Sequence, residues 1–170
     1  MKIYTKSGDE GKTTTYAGEK VDKDHPIIVA GLKFDYVHAS MDSCKSQINK
    51  PEILDIISFL EDKFWQSAGE VSLGKPGKKV KDYVQKEDLE YVEQLIDKFN
   101  PKTSNFLRFQ NESATRLNEL RVRVRDLEVF LTRFLRKKQI RPLLYKFVNR
   151  TSDLIYVLAC VEEEKVKKQK

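Results

Sequence analysis

Apolar residues recur every three or four positions along most of the chain from about residue 28 onwards. This spacing places them on one face of an α-helix, and Pro51 and Pro142 stand where a helix can begin. Five helices are predicted in this way, over residues 29–48, about 51–71, 89–99, about 111–138, and from 142 onwards. No stretch alternates apolar and polar residues convincingly enough to predict a strand. The pattern therefore predicts an all-α bundle of five helices.

The beginning of the chain lacks this helical spacing and is rich in glycine and polar residues. Its glycines and Pro26 disfavour a regular helix, so residues 1–26 are predicted to form an N-terminal loop. Residues 28–166 are assigned to the bundle. The charged tail that begins at Glu162 is expected to fray, with residues 167–170 outside the bundle. The length of 170 residues fits one domain.

The composition is that of a globular chain with one hydrophobic core. Hydrophobic residues make up 39% and charged residues 34% of the chain, and the formal net charge is +6. Collagen-like and fully disordered chains are excluded, and no apolar run reaches the roughly 18 residues of a membrane span. The N-terminus has no apolar stretch suited to export, so a cytoplasmic location is expected. Cys44 and Cys160 lack zinc or disulfide spacing and are predicted to lie in the core.

The N-terminal loop has side chains suited to binding a polyphosphate. Residues 4–15 read YTKSGDEGKTTT, in which glycines let backbone N–H groups turn towards an anion and hydroxyl groups add donors. Lys6 and Lys12, with Lys20 and Lys23 further on, supply positive charge. The loop is not a Walker A motif, because GxxxxGK[ST] is absent and no strand is predicted before it. A mobile polar terminus is the alternative from composition alone.

The fourth predicted helix places Arg121, Arg125 and Glu128 on one stripe beside its apolar face. Two arginines four positions apart repel each other, and Glu128 neutralises only part of their charge. An anion or carboxylate is therefore expected near them. The alternative is a solvated basic face with an ordinary arginine–glutamate pair.

The fifth predicted helix contains a polar cluster at residues 149–153, which read NRTSD. Polar groups within an apolar helix destabilise it unless they have partners. Asn149 and Asp153, one turn apart, are therefore expected either to bind a ligand or to tie the bundle together.

Two further features are less specific. Segment 116–150 has eleven Lys and Arg residues against three Asp and Glu, which permits nucleic-acid binding. No zinc-finger, RNP or bZIP pattern accompanies that segment. His25 and His38 stand alone without metal-ligand spacing, so surface or interface positions are expected for them.

Three separated motifs resemble one known family, the PduO-type ATP:cob(I)alamin adenosyltransferases. Residues 4–14 (YTKSGDEGKTT) and 18–24 (GEKVDKD) are similar to its N-terminal nucleotide loop. Residues 121–128 (RVRVRDLE) resemble its signature in helix four. Residues 147–159 (FVNRTSDLIYVLA) resemble its signature in helix five. The order and spacing of the motifs match, so the resemblance covers roughly residues 3–160.

The resemblance implies a trimer of helical bundles with ATP bound between adjacent subunits and the corrinoid beside it. The reaction it implies is attack of cob(I)alamin on the 5′-carbon of ATP, which gives adenosylcobalamin and releases triphosphate. MgATP and reduced cobalamin would be the substrates. A reductase and an adenosylcobalamin-dependent mutase would be the partners.

The resemblance also implies which residues hold ATP. They belong to the loop and to helices four and five: Thr5, Lys6, Ser7, Gly8, Asp9, Thr13, Thr14, Lys23, Arg125, Asp126, Leu127, Glu128, Val129 and Asn149. Among these, Arg125, Lys23 and Glu128 are the candidate catalytic residues. Preset positive charges would stabilise the triphosphate as it leaves.

Three more residues receive roles from the resemblance. Asp35 and Arg121 are expected to pair across the subunit boundary. Phe106 is expected on the corrinoid side, where it would help to displace the lower axial base of cobalamin. No metal site built from protein side chains is implied.

Parts of the chain depart from the family pattern. Residues 107–112 read LRFQNE where the family has Leu-Pro-Gly-Gly-type residues, Asp126 replaces an arginine, and Tyr36 replaces an acid. ATP binding is thus better preserved than corrinoid binding. An ATP-binding regulatory or carrier protein of the same fold is therefore the alternative function, and a basic nucleic-acid-binding bundle is the third.

Overall fold

The computed structural model describes residue 4 and residues 6–73, 83–100 and 107–168, with side chains up to residue 164. It contains the five predicted helices: α1 (Pro26–Lys45), α2 (Pro51–Ser72), α3 (Lys86–Phe99), α4 (Glu112–Arg136) and α5 (Pro142–Lys168). Proline begins three of them, α1, α2 and α5, where its missing N–H removes no helical hydrogen bond. The predicted all-α class is confirmed. Over the ranges described, no helix is long and apolar enough to cross a membrane.

The helices pack around one core. Helix α1 lies against α2 and α4, α4 lies against α5, and α5 lies against α3. Cys44 and Cys160 are free thiols buried in this core, as predicted. Burial raises the pKa of the Cys44 thiol to about 12, so this thiol stays protonated and unreactive at neutral pH.

The N-terminal region contains a short hairpin, so the prediction that the chain has no strands is wrong there. Strand β1 (Lys12–Thr14) pairs antiparallel with β2 (Lys20–Asp22), with Thr13 opposite Val21. Gly18, with a φ of +84°, makes the turn between the strands possible. Each strand has only three residues, which is too short for an alternating pattern to stand out.

The start of the charged tail is packed into the bundle, although fraying is predicted from Glu162 onwards. Glu162 and Glu163 are both buried. Glu163 Oε2 accepts hydrogen bonds from the backbone N–H groups of Gln110 and Asn111 at 2.9 and 3.0 Å, and Glu162 Oε2 accepts one from Ser113 Oγ at 2.8 Å. The expected fraying is wrong for these two residues, because partnered carboxylates can be buried.

Arg141 fixes the beginning of α5. Its Nε and Nη2 donate to the two carboxylate oxygens of Glu70 in α2 at 2.9 and 2.8 Å, and its Nη1 donates to the carbonyl of Val84 at 3.1 Å. A bidentate pair of this kind sets orientation as well as distance. The first turns of α5, which include Tyr145 and Asn149, are therefore fixed in their position along the bundle axis.

Candidate functional site

The loop before the hairpin folds so that the side chain of Lys23 lies against Gly8. A Cβ atom added at Gly8 would lie 2.9 Å from Lys23 Nζ and 3.1 Å from its Cε, so glycine leaves room for the lysine. The backbone N–H of Lys23 donates to the carbonyl of Gly11 at 2.9 Å, and that of Asp9 donates to the carbonyl of Lys6 at 3.3 Å. An ammonium group beside a turning backbone is an arrangement that can bind an anion.

A cleft of about 460 Å³ lies between the hairpin and α1. Thr13, Thr14 and Lys23 line its hairpin side, and apolar residues of α1, including Ile28 and Leu32, line the opposite side. Hydroxyl and ammonium donors thus face an apolar wall. Such a cleft suits a ligand that has both a charged part and a flat apolar part.

A second cleft, of about 550 Å³, continues from the first between α1 and α2. The two clefts share Asp35 and Tyr16, and the second is also lined by His38 and Trp65. The His38 ring is buried and lies 5.3 Å from that of Trp65, so of the expected surface or interface positions the surface position is not observed. Burial lowers the pKa of His38, despite the nearby carboxylates of Glu61 and Asp35, and its imidazole is neutral at pH 7.

Glu128 of α4 lies at the centre of a second group of predicted site residues. Its side chain is only 8% exposed, and its Oε1 accepts hydrogen bonds from Asn149 Nδ2 at 2.8 Å and from the Tyr145 hydroxyl at 3.3 Å. Its Oε2 lies 3.2 Å from Nη1 of Arg125, whose side chain is 53% exposed. Glu128 and Arg125 therefore form an ion pair in which the carboxylate is buried and about half of the arginine side chain is exposed. We call these four residues the Glu128 cluster.

The neighbours of Glu128 on α4 differ in what they can contact. Leu127 is fully buried in the core, so its side chain faces away from any ligand at the surface. Val129 is 66% exposed. The carboxylate of Asp126 lies 2.6 Å from Nζ of Lys33 in α1, so it already has a cationic partner.

Asp35 and Arg121 do not pair with each other within the described part of the chain. Nε of Arg121 donates to Asn118 Oδ1 at 2.9 Å, and Asp35 is exposed beside the two clefts. Tyr36, which stands where the family has an acid, stacks with the guanidinium of Arg123 at 5.2 Å. The side chain of Asp35 is therefore accessible from solvent.

The loop and the Glu128 cluster are built on different elements of the fold. The loop borders α1 and α2, whereas the cluster lies between α4 and α5. Among the residues described, no hydrogen bond or ion pair joins the two groups. Thr5 and Phe106 lie outside the described residues. Among the described residues, each half of the predicted site is therefore assembled separately, and no such contact joins the two halves.

Some residues at these places were not predicted from the sequence. Tyr145 is four positions before Asn149 and Thr132 four positions after Glu128, so helical spacing could have identified both. The Lys33–Asp126 pair joins residues 93 positions apart, and no local pattern indicates it. In the described segments, no group of three or more His, Cys, Asp or Glu residues could hold a metal ion.

Comparisons with known proteins agree with these observations. The family model described as cobalamin adenosyltransferase matches residues 3–162. The corrinoid adenosyltransferase PduO of Salmonella typhimurium is 30% identical over 170 residues, covering 96% of this chain and 50% of that protein. A corrinoid adenosyltransferase of Citrobacter freundii is 25% identical over 167 residues, covering 95% of both chains. The chain thus spans about half the length of the PduO relative.

Solved structures share the fold. A variant PduO-type ATP:corrinoid adenosyltransferase from Lactobacillus reuteri, complexed with cobalamin and ATP, superposes with a TM-score of 0.84 at 23% identity over 99% of this chain and 93% of that one. Another variant of that enzyme, complexed with ATP, gives 0.84 at 22% identity over 96% and 94%. Since the family model matches nearly the whole chain, which also has the fold of these structures, this protein belongs to the cobalamin adenosyltransferase family.

Proposed function

We propose that this protein transfers the 5′-deoxyadenosyl group of ATP to cob(I)alamin. The cobalt lone pair attacks the 5′-carbon, a cobalt–carbon bond forms, and the bond from C5′ to the phosphate oxygen breaks. The electron pair leaves with triphosphate, so the step needs no proton transfer. The main observation in favour is the preset Arg125–Glu128–Asn149 arrangement in a chain of this family.

The loop side would hold the phosphates. Lys23 and the hydroxyl groups of Thr13 and Thr14 line the same cleft, where they can donate to phosphate oxygens. Lys6, Ser7, Gly8, Asp9 and Thr5 belong to the same proposed loop site. Magnesium would enter with ATP and share the phosphate charge. Lys23 and magnesium would thus offset the negative charge of the bound phosphates and strengthen the binding of ATP.

The Glu128 cluster would hold the nucleotide from the other side. Arg125 exposes part of its guanidinium while Glu128 fixes its orientation, so it can meet the leaving group without first reorganising. Because Glu128 is buried and has three partners, we assign it to holding Arg125 and Asn149 rather than to contact with ATP. Of its neighbours, Val129 and Asp126 are exposed enough to contact ATP, whereas Leu127 is not.

We further propose a trimer in which the two halves of the site come from adjacent subunits. The separation of the loop from the Glu128 cluster in one chain supports this arrangement. Exposed apolar side chains on α1 and α4, Leu32 and Val122 among them, would be covered by assembly. Asp35 and Arg121 would then pair across the boundary, since they do not pair within one chain.

The remaining elements of the proposal concern partners and location. Phe106 is proposed for the corrinoid side, next to the segment that begins at residue 107. A reductase would supply cob(I)alamin, and a mutase would use the product. A cytoplasmic location is proposed because the two buried cysteines are free thiols, which suits a reducing compartment.

The test is to mix the protein with MgATP and chemically reduced cobalamin without oxygen. The proposal predicts that cob(I)alamin is consumed, that light-sensitive adenosylcobalamin appears in the visible spectrum, and that triphosphate is released. An absence of product despite ATP binding would instead favour a regulatory or carrier protein. The observation that favours this second candidate is the altered segment after residue 106, whose Gln110 and Asn111 are tied to Glu163.

A further inference from the structure

We propose that Tyr145 is a positioning residue for ATP that acts through Glu128. This inference rests on the proposed function, because it assumes that Arg125 and Asn149 contact the nucleotide. It adds to that function a residue that lies outside the three sequence motifs and belongs to the first turn of α5.

The hydroxyl of Tyr145 links α4 and α5. It lies 3.3 Å from Glu128 Oε1 and 3.1 Å from Oγ1 of Thr132. An ionised carboxylate can only accept hydrogen bonds, so the Tyr145 hydroxyl donates to Glu128. The Thr132 hydroxyl can then donate to the oxygen of Tyr145, or to the backbone carbonyl of Glu128 at 3.3 Å.

Two donors on one carboxylate oxygen fix the plane of the carboxylate. The terminal torsion of a glutamate has a broad energy profile, so a single donor from Asn149 would leave the group able to rotate. With Tyr145 and Asn149 both bound to Oε1, the other oxygen, Oε2, is directed at Arg125. Tyr145 therefore acts on Arg125 and Asn149 through Glu128, and its own hydroxyl bonds go to Glu128 and Thr132.

The position of Tyr145 fits an indirect role. Its ring is half-buried and packs against the core, and its hydroxyl is engaged by Glu128 and Thr132. The bidentate contact of Arg141 with Glu70, one turn earlier, keeps this part of α5 in register. The hydroxyl is thus held where loss of one oxygen atom changes the cluster without opening a large cavity.

The experiment compares Tyr145→Phe with Tyr91→Phe, which makes the same chemical change on α3, where the ring packs against Phe59. The readout is the dissociation constant for MgATP, measured by calorimetry without corrinoid, together with the unfolding temperature. We expect roughly 10-fold weaker MgATP binding for Tyr145→Phe, because a lost positioning bond misdirects Arg125 and Asn149. Tyr91→Phe should bind as the wild type does.

Two additions separate positioning from simple packing. When Glu128→Gln is already present, adding Tyr145→Phe should weaken MgATP binding by less than about twofold relative to Glu128→Gln alone. The reason is that the effect of Tyr145 passes through the Glu128 carboxylate. Thr132→Ser should keep wild-type affinity, whereas the similarly shaped Thr132→Val should weaken it by a smaller factor than Tyr145→Phe does. Equal losses with and without the Glu128 carboxylate would overturn the inference.

The outcomes also distinguish this inference from the proposed function. If Tyr145→Phe binds MgATP as tightly as the wild type does, the role of Tyr145 is overturned and the proposed reaction still stands. Wild-type protein that binds no MgATP would contradict both. Adenosylcobalamin formation by the wild type, measured in parallel, shows which case applies.

Discussion

The loop and the Glu128 cluster differ in whether their positively charged side chains have acidic partners. In the loop, Lys23 is exposed and has no acidic partner among the described residues, and mainly backbone hydrogen bonds shape its surroundings. In the cluster, a buried carboxylate accepts a hydrogen bond from Asn149 and forms an ion pair with Arg125. The cluster is therefore built before any ligand arrives, whereas the loop lacks the counter-charge that an anionic ligand would supply.

This difference separates two contributions to catalysis. Ordering exposed side chains costs conformational entropy that must be offset by binding, so the loop should mainly set affinity for ATP. A preorganised cation stabilises developing charge without further rearrangement, so the cluster should set the rate as well as contribute to affinity. Substitutions in the loop should consequently change affinity, whereas substitutions in the cluster should also lower turnover.

The largest effect is expected for Arg125→Ala. Removing this cation should lower turnover by about 100- to 1,000-fold, because the triphosphate loses a fixed donor as its charge grows. The steady-state rate of adenosylcobalamin formation measures this loss, and light scattering checks that the assembly is intact. Arg136→Ala, on the last turn of the same helix, is the matched control and should be close to wild type. Near-normal turnover by Arg125→Ala would show that the assignment of Arg125 is wrong.

A smaller effect is expected for Lys23→Ala in the loop. It should raise the dissociation constant of MgATP by about 10-fold and leave the unfolding temperature unchanged, because the exposed ammonium contributes little to folding. Lys86→Ala, which removes an exposed lysine of α3, is the control. An unchanged affinity after removal of Lys23 would mean that the loop cleft does not bind the phosphates.

Gly8→Ala tests the packing of Lys23 against Gly8 with a smaller change. The added methyl group would lie 2.9 Å from Lys23 Nζ, so the flexible lysine must move aside and ATP affinity should fall by a few-fold. Gly18→Ala is a useful contrast, since its Cβ meets no atom within 4 Å but its φ of +84° is strained for alanine. Gly18→Ala should therefore lower the unfolding temperature more than the affinity, and the reverse ranking would contradict this account.

The smallest effect concerns His38, in the wall of the second cleft. Desolvation lowers the pKa of His38 below its usual value of 6.5. The carboxylates of Glu61, Asp35 and Asp42 act in the opposite direction but are outweighed. The positive charge of Lys45 also lowers this pKa. The unfolded chain therefore binds more protons, and this contribution to stability is present above pH 6.5 and is lost as the pH falls.

His38→Gln should accordingly flatten the dependence of the unfolding temperature on pH between about 5 and 7. Thermal unfolding of the variant and of the wild type across that range measures the difference. Parallel curves would mean that burial does not disfavour the charged imidazole.

The helices could be predicted because their periodicity is local. The spacing of core residues such as Leu120, Val124 and Leu127 already defines the buried face of α4. The hairpin could not be predicted in the same way, because its three-residue strands are too short to show a period. Its turn depends on one glycine among several in the loop.

The site could be predicted only in part. Arg125 and Glu128 are three positions apart on one helix, so their contact follows from spacing. The pairing of Asp126 with Lys33, and of Glu163 with the start of α4, depends on which distant helices meet. The resemblance to the family assigned both Leu127 and Val129 to ATP, but only the side chain of Val129 is exposed, whereas that of Leu127 is buried.

The central claim is that one chain supplies the loop and its neighbour supplies the Glu128 cluster. We would co-express Lys23→Ala and Arg125→Ala chains with different affinity tags, purify mixed trimers, and measure adenosylcobalamin formation. If each site draws one half from each of two subunits, every trimer that contains both variants has both halves intact at about one third of its sites, and activity should rise well above that of either variant alone. Mixed trimers no more active than the two parent variants would contradict the claim, because a site confined to one chain cannot be repaired by its neighbour.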